Sequence, residues 1–270
     1  MKKPKSLNIL TWNVNSIRVR IEQLEQVCSV LNPDVVCLQE TKVKNYAFPY
    51  DKCKNMGFKH IAARGNSGYN GVAILSKYPF NEIQKVDFCG KDDSRHIAVQ
   101  INDIIIHNFY VPAGGYEPNI ETNDKFLHKL MFIEEMASFF LRKNQKQNLE
   151  KTIILGDLNV APLEYDVWNH EKMLQTVSHT PDEVSRFNTF LESGDFIDAI
   201  RHFIPETERV YTWWSYRSPK WSEVDKGRRL DHIIATPDMK PNLTNLKIFK
   251  DTRDFERPSD HVPVMLNIAL

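Results

Sequence analysis

Short apolar runs with strand character alternate with stretches of helical period along the whole chain. LNILTWN at 7–13 predicts a strand, and Ile21, Leu24, Cys28 and Leu31 then fall on one face of a helix that Asn32-Pro33 ends. DVVCLQ at 34–39 follows as a strand. So do GFKHIAA at 57–63, GVAILS at 71–76, RHIAVQI at 95–101 and DIIIHNFYV at 103–111, the last two joined tightly at Asn102-Asp103. A long helix is expected over 122–143, where Leu127, Leu130, Met131, Ile133, Glu134 and Met136 mix core and surface positions. TIILGDLN at 152–159 reads as a strand running into a loop, and DEVSRFNTFLESG at 182–194 as a helix closed by Gly194. Strands return at 229–236 and 262–269. No repeat and no linker rich in Pro, Gly or Ser divides the chain, so residues 1–270 are expected to form a single domain. Hairpin-like strand pairs interspersed with helices predict two packed sheets with helices outside, rather than a dinucleotide-binding fold. The glycine-rich RGNSGYNG at 64–71 lacks a Gly-Lys-Ser/Thr ending and runs into a strand. It reads as a hairpin turn and not as a phosphate loop.

Composition narrows the class without naming a function. With 41% apolar and 26% charged residues the chain is too apolar and too balanced for disorder. Its 35 basic residues equal its 35 acidic ones, which excludes a globally basic coat for nucleic acid but leaves room for a local basic face. Cys28, Cys37, Cys53 and Cys89 show neither CxxC spacing nor a clustered His, so a reducing compartment fits better than a disulfide framework or a zinc site. The start MKKPKSLNILTWN has no apolar stretch of signal-peptide length, and VVCL and VAIL are far too short to span a membrane. A soluble, cytoplasmic monomer is expected.

The informative signal is where certain polar residues stand. Asn13 and Asn15 follow NILTW, Glu40 ends VVCLQE and Tyr110 ends IIIHNFY. Asp157 and Asn159 follow TIILG, Asp260 and His261 immediately precede VPVML, and Asp231 sits inside RRLDHIIA, where a carboxylate needs a partner to offset its desolvation. Strand ends converging on one sheet edge would line a cleft with carboxylates, amides, a phenol and an imidazole. That set suits an oxygen-ligated divalent cation such as Mg²⁺ and not zinc. The chemistry it favours is phosphodiester hydrolysis. A cation at Glu40, a protonated His261 and the Tyr110 hydroxyl would stabilise charge on the phosphorus oxygens, and Asp157 would take the proton of the attacking water. Asn159 would hold Asp157 or the water, and Asp231 would orient His261 and keep it charged. Each residue alone has a plainer reading. Glu40 is then a solvated carboxylate, Asn13 and Asn15 turn formers, Tyr110 a packing residue, Asp157-Leu158-Asn159 a turn and Asp260 a strand-start cap. Only their joint occurrence, each in its strand context, favours a site.

These segments resemble the exonuclease III family of apurinic/apyrimidinic endonucleases, within the wider endonuclease/exonuclease/phosphatase superfamily. The matching stretches are TWNVNSIR (11–18), CLQETKV (37–43), NGVAILS (70–76), NFYVP (108–112), GDLNVAP (156–162), YTWWSYRS (211–218), RRLDHII (228–234) and SDHVPV (259–264). They run in family order over about residues 6–269. The resemblance implies a four-layer α/β sandwich, two packed mixed β-sheets flanked by helices. It implies a Mg²⁺-dependent enzyme, with Mn²⁺ as a substitute, acting on duplex DNA with abasic sites or blocked 3′ ends. Incision would fall 5′ to the abasic site and leave a 3′-hydroxyl, with 3′-to-5′ exonuclease and end-trimming activities beside it. By position, Glu40 matches the principal metal ligand, and Asn13, Asn15 and Asp260 match residues around that metal. Asp157 and Asn159 match a water-activating pair that some schemes make a second metal site, Tyr110 a phosphate-contacting tyrosine, and Asp231 and His261 an Asp–His pair on the scissile phosphate. Trp213 and Leu230 match apolar positions of the pocket for the baseless sugar. Two positions depart from the pattern: Ala113-Gly114-Gly115 stands where some members carry a phosphate-contacting Asn or Gln, and Arg228 stands where relatives often carry an apolar residue.

Segment 209–229 supports a DNA reading on its own terms. It holds Arg209, Arg217, Lys220, Lys226, Arg228 and Arg229 against Glu223 and Asp225, a local net of +4, and three of the five tryptophans. Arginines with aromatic wedges suit phosphate contact plus insertion at a lesion, so Asn15, Trp213, Arg217 and Leu230 form the expected DNA-contacting set. Trp214 should face the core, because neighbours in a strand point to opposite sides. Two rival readings are an inositol-phosphate or sphingomyelin phosphodiesterase of the same superfamily, and a non-catalytic nucleic-acid-binding adaptor on the same fold. No lipid-facing surface supports the first, and the intact set of Glu40, Asp157, Asn159, Asp231 and His261 speaks against the second.

Overall fold

Two parallel strand–helix–strand units form the centre of the molecule, each marked in the sequence by a switch from strand to helical period. The computed structural model describes residues 4–66, 68–146, 149–217 and 220–270. Ser67 of the glycine-rich turn and Ser218 at the end of YTWWSYRS lie outside the described residues. In chain order the first unit is β1 Ser6–Asn13, α1 Ile17–Leu31 and β2 Val35–Gln39. Asn32 closes α1 in the left-handed conformation (φ 46°) and donates its N–H to the Cys28 carbonyl. There follow α2 Tyr50–Asn55, β3 His60–Arg64, β4 Val72–Ser76, β5 Asn81–Gln84 and β6 His96–Ile101. The second unit is β7 Ile104–Tyr110, α3 Asp124–Gln145 and β8 Thr152–Asp157, with α3 capped by the Asn123 side chain. Next come α4 His170–Met173, α5 Pro181–Glu192, β9 Ile197–Asp198, α6 Ala199–Phe203, β10 Trp213–Trp214 and α7 Trp221–Val224. The chain finishes with β11 Gly227–Arg228, β12 Asp231–Ala235, β13 Leu243–Ile248 and β14 Val264–Ala269.

One six-stranded sheet has the order β13-β14-β1-β2-β4-β3 and the other β5-β6-β7-β8-β12-β9, with β10 and β11 as a separate ribbon. Among the described residues only β1–β2 and β7–β8 run parallel, so both large sheets are mixed. Leu7, Ile9, Val35 and Cys37 from the first sheet meet Val99, Ile106, Ile153 and Leu155 from the second in the inner core. The alternate residues Leu10, Trp12, Val36 and Leu38 pack outward against Ile21, Leu24 and Val27 of α1. Phe109, Ile154 and Ile234 do the same against α3 and α5. Strands covered on both faces explain the unbroken apolar runs, and each fully buried Leu, Ile or Phe contributes about 1.5–3 kcal/mol. The result is the expected sandwich of two mixed sheets flanked by helices.

Some expectations need correction. The strand expected from 57 begins at His60, and the one expected from 229 begins at Asp231, which therefore opens its strand rather than sitting inside it. Gly194 does not close α5 by left-handed geometry; Asp195 takes that role (φ 51°). Gly194 is needed for packing, since a Cβ there would lie 2.6 Å from the Phe196 ring and 2.8 Å from Leu149. The edge strands β5 and β13 escaped notice because they carry few apolar residues to signal them.

Candidate active site

The two parallel units deliver their strand ends to one edge of the sandwich. Asn13 ends β1, Glu40 follows β2, Tyr110 ends β7 and Asp157 ends β8. Just below, Gln39 Nε2 donates to Asn108 Oδ1 (2.7 Å), and Asn108 Nδ2 donates to the Leu38 and Ala73 carbonyls, so buried amides lock the sheets in register. Gly156 makes the close approach of β7 and β8 feasible: its φ is 133°, and a Cβ would stand 2.0 Å from the Phe109 carbonyl oxygen. Asn13 Nδ2 then bridges the sheets, donating to Glu40 Oε1 (2.9 Å) and to Asp157 Oδ2 (2.8 Å).

The loops that carry these groups are held in unfavourable backbone conformations. Asn15, Glu40, Lys42 and Asn159 all have left-handed φ between 42° and 55°. Such residues cost about 1–3 kcal/mol each and persist where the surroundings over-determine them. Here Ser16 N–H bonds the Glu40 carbonyl, Lys42 N–H bonds the Asn70 carbonyl, and Asn159 N–H bonds Asp157 Oδ1. Behind Asn159, the buried Lys129 ammonium pairs with Glu183 and donates to the Asn159 carbonyl (2.7 Å).

His261 sits between two carboxylates. Its Nδ1 bonds Asp231 Oδ2 at 2.8 Å, and its Nε2 lies 3.6 Å from Asp157 Oδ2. Burial alone would lower the imidazole's pKa, but the charges of Asp231 and Asp157 outweigh it and raise it to about 10. Burial drives the Asp157 carboxyl up, Asp231 and Glu40 push the same way, and His261 and Asn13 oppose only in part, leaving it at about 7. Burial and then the carboxylates of Glu40 and Asp157 hold the Tyr110 phenol well above its ordinary range, so it stays protonated and donates to Glu40. Burial would raise Asp260, but His261 and hydrogen bonds from Trp213 Nε1 (2.9 Å) and Asn15 Nδ2 (3.0 Å) hold it below the usual carboxylate range.

A cleft of about 710 Å³ is lined by Glu40, Tyr110, Asp157, Asn159, Trp213, Arg217, Leu230, Asp260 and His261. Asn13 and Asp231 lie buried beneath it, and Asn15 borders it through Asp260. The fold thus brings the whole predicted set together. Trp214 is fully buried and Trp213 is not, as their alternation requires. One reading of segment 209–229 fails: Arg229 presents no surface charge. It is completely buried, clamped by both oxygens of Asp166 (2.7 Å each) and by Asp198, so the segment's basic face is smaller than its composition suggests.

Three supporting residues had no signal of their own in the sequence. Lys42 Nζ lies 2.7 Å from Glu40 Oε2. Thr212 Oγ1 accepts the N–H groups of Leu230 and Asp231 (3.1 and 3.0 Å), fixing the start of β12. Ser259 Oγ donates to the Asn13 carbonyl (2.7 Å) and accepts the His261 N–H (3.2 Å), tying the two strand ends together. Lys129 was discoverable as a lysine among the buried residues of α3, beside Leu130 and Phe126.

At the cleft edge Glu40 and Asp260 offer carboxylate oxygens, with the Tyr110 hydroxyl and the Asn159 amide oxygen lining the same cleft, and a lysine ammonium already rests on Glu40. Such an edge fits a hard divalent cation. Asp157, Asp231 and His261 also lie close enough to share an ion, within 4.8 Å. Their imidazole already joins the two carboxylates, however, which suits them to proton handling.

The profile of the endonuclease/exonuclease/phosphatase family matches residues 10–261. The chain belongs to that family. Its relatives include exodeoxyribonuclease III of Haemophilus influenzae, 28% identical over 96% of this chain and 98% of its own. An AP endonuclease structure from Archaeoglobus fulgidus superposes with a TM-score of 0.89 at 33% identity, covering 98% of this chain and 100% of its own. NExo, a 3′ phosphatase from Neisseria bound to product DNA hairpin, gives 0.89 at 29% with the same coverage. As a member of this divalent-metal-dependent family, the protein is a DNA phosphodiester hydrolase. No described helix is long and apolar enough to cross a membrane.

Proposed function

We propose that the enzyme is a Mg²⁺-dependent repair nuclease, a cytoplasmic monomer whose whole chain acts as one catalytic domain. It cuts duplex DNA 5′ to abasic sites and removes nucleotides or blocking groups from 3′ ends. The observation that carries this reading is the pairing of a carboxyl poised near neutrality, Asp157, with a charged imidazole, His261, 3.6 Å away. In this scheme the ionised Asp157 takes a proton from water as its oxygen attacks phosphorus. The P–O3′ bond breaks, and the departing oxygen gains a proton from solvent to give the 3′-hydroxyl. Asn159 has committed its amide N–H to the Val111 carbonyl (2.9 Å), leaving Oδ1 to orient the water. The His261 imidazolium and the Tyr110 hydroxyl neutralise charge on the phosphorus oxygens. Mg²⁺, held at Glu40 with Asn13 and Asp260 nearby and with Asp157 and Asn159 able to contribute, would add Lewis-acid stabilisation of that charge. Trp213 and Leu230 line the pocket beside the reacting phosphorus, and Asn15 and Arg217 contact the strand.

The test is cleavage of a duplex containing one abasic residue. EDTA should abolish it and added Mg²⁺ restore it, with a 3′-hydroxyl on the product. Full cleavage in EDTA would remove the metal from the scheme.

A further inference from the structure

Arg228 stands opposite Trp213 in the β10–β11 ribbon and lines the same cleft as Asp157 and His261. Its guanidinium lies over the indole, with Cζ 5.0 Å from the ring centroid. Nη1 donates to the Val177 carbonyl (3.1 Å) and the Ser178 hydroxyl (3.0 Å), while Nε is buried without a partner. Among the described residues no carboxylate forms an ion pair with it; the one it senses, Glu183, is already paired with Lys129. Burial lowers its pKa to about 10, so it stays charged at neutral pH. Its neighbour Arg229, completely buried where Arg228 is only partly so, has two aspartates. A desolvated cation with only neutral partners is costly, and that cost is relieved if an anion arrives with the ligand.

The position says which anion. Trp213 holds Asp260 through its Nε1 and bridges to His261 in the backbone, so a single indole separates Arg228 from the reaction centre. In a bound DNA strand the next charge beyond the cut phosphodiester is the neighbouring phosphate. We propose that Arg228 is an anion subsite that holds the phosphate on the 3′ side of the abasic residue while the phosphate on its 5′ side is cut. This rests on the incision reading above and gives that reaction a second point of attachment. The planar guanidinium, with Nη2 uncommitted, suits a phosphate oxygen.

The test uses two duplexes with an internal tetrahydrofuran abasic analogue, identical except that the 3′-side linkage is a charged phosphodiester in one and a neutral methylphosphonate in the other. The intact enzyme should show a KM about tenfold lower for the charged duplex, the scale of one charge-assisted hydrogen bond, with kcat little different. In Arg228→Gln the two KM values should converge. Arg228→Met, whose straight chain keeps contact with Trp213, serves the same purpose should the Gln variant fail to fold, as thermal unfolding would reveal. Equal KM values for the two duplexes in the intact enzyme, or an undiminished preference in a folded variant, would overturn the subsite. So would a variant that cuts both duplexes faster by the same factor, because Arg228 would then only fill the pocket. Cleavage of neither duplex by the intact enzyme in Mg²⁺ would instead refute the incision reading.

Discussion

The two parallel units make the same delivery with different consequences. Each is a strand, a helix and a second strand, and each carries polar side chains to the cleft, Asn13 and Glu40 from one, Tyr110 and Asp157 from the other. The Glu40 side chain keeps 17% of its exposure and meets a lysine. The Asp157 side chain keeps 1% and meets a histidine, whose charge depends on its neighbours. Identical topology thus yields one carboxylate suited to holding a cation and one suited to moving a proton. Burial and the nature of the adjacent cation make the difference, not the fold.

That contrast can be broken from either side. The largest effect should follow Asp157→Asn, which removes the base while keeping the size of the side chain. It should lower kcat by about 10²–10⁴-fold, in the range of general-base catalysis, with DNA affinity nearly intact. A matching loss of affinity in a binding assay would make Asp157 a binding residue instead.

A smaller, sign-specific effect concerns pH. Asp157 acts when deprotonated and its pKa is about 7, so kcat/KM should rise with pH through that value. His261 acts when protonated and its pKa is about 10, so activity should fall again as pH passes it. Asp231→Asn removes the strongest support for the imidazolium and should move the alkaline limb downward, leaving the acid limb in place or slightly lower. An alkaline limb that stays put would assign it to another group.

The smallest effect is expected at Lys42. Its pairing with Glu40 is partly solvated, so the contact contributes on the order of 0.2–1 kcal/mol. Lys42→Met should free Glu40 and lower the Mg²⁺ concentration for half-maximal activity by about two- to fivefold. A rise in that concentration would show that Lys42 assists the cation rather than competing with it.

How legible this was in the sequence depended on the kind of signal. Glu40, Tyr110 and Asp157 stood out because each ends an apolar run, where a polar side chain has no packing reason to be. Asp231 stood out differently, as a carboxylate within a strand-like run whose desolvation needs a partner, and that partner proved to be His261. The hydroxyls of Thr212 and Ser259 carried no such mark, since either residue is ordinary in a loop and gains meaning only from the two backbone groups it holds. Charge counting misjudged Arg229 because a sum over a segment cannot tell which side chains turn inward to meet Asp166. The sheets' inner strands were visible through continuous apolar runs, whereas the edge strand β13, with LTNLKI, reads like a loop until β14 pairs with it.

The central claim, that one carboxylate serves the cation and the other the proton, is tested most directly by titrating Mg²⁺ against single-turnover cleavage of abasic duplex by Glu40→Gln and Asp157→Asn. Glu40→Gln should need roughly tenfold or more Mg²⁺ for half its maximal rate and recover much of that rate at high concentration. Asp157→Asn should stay slow at every concentration, with a midpoint shifted much less than that of Glu40→Gln. Two variants with the same midpoint shift and the same residual rate would contradict the division of labour.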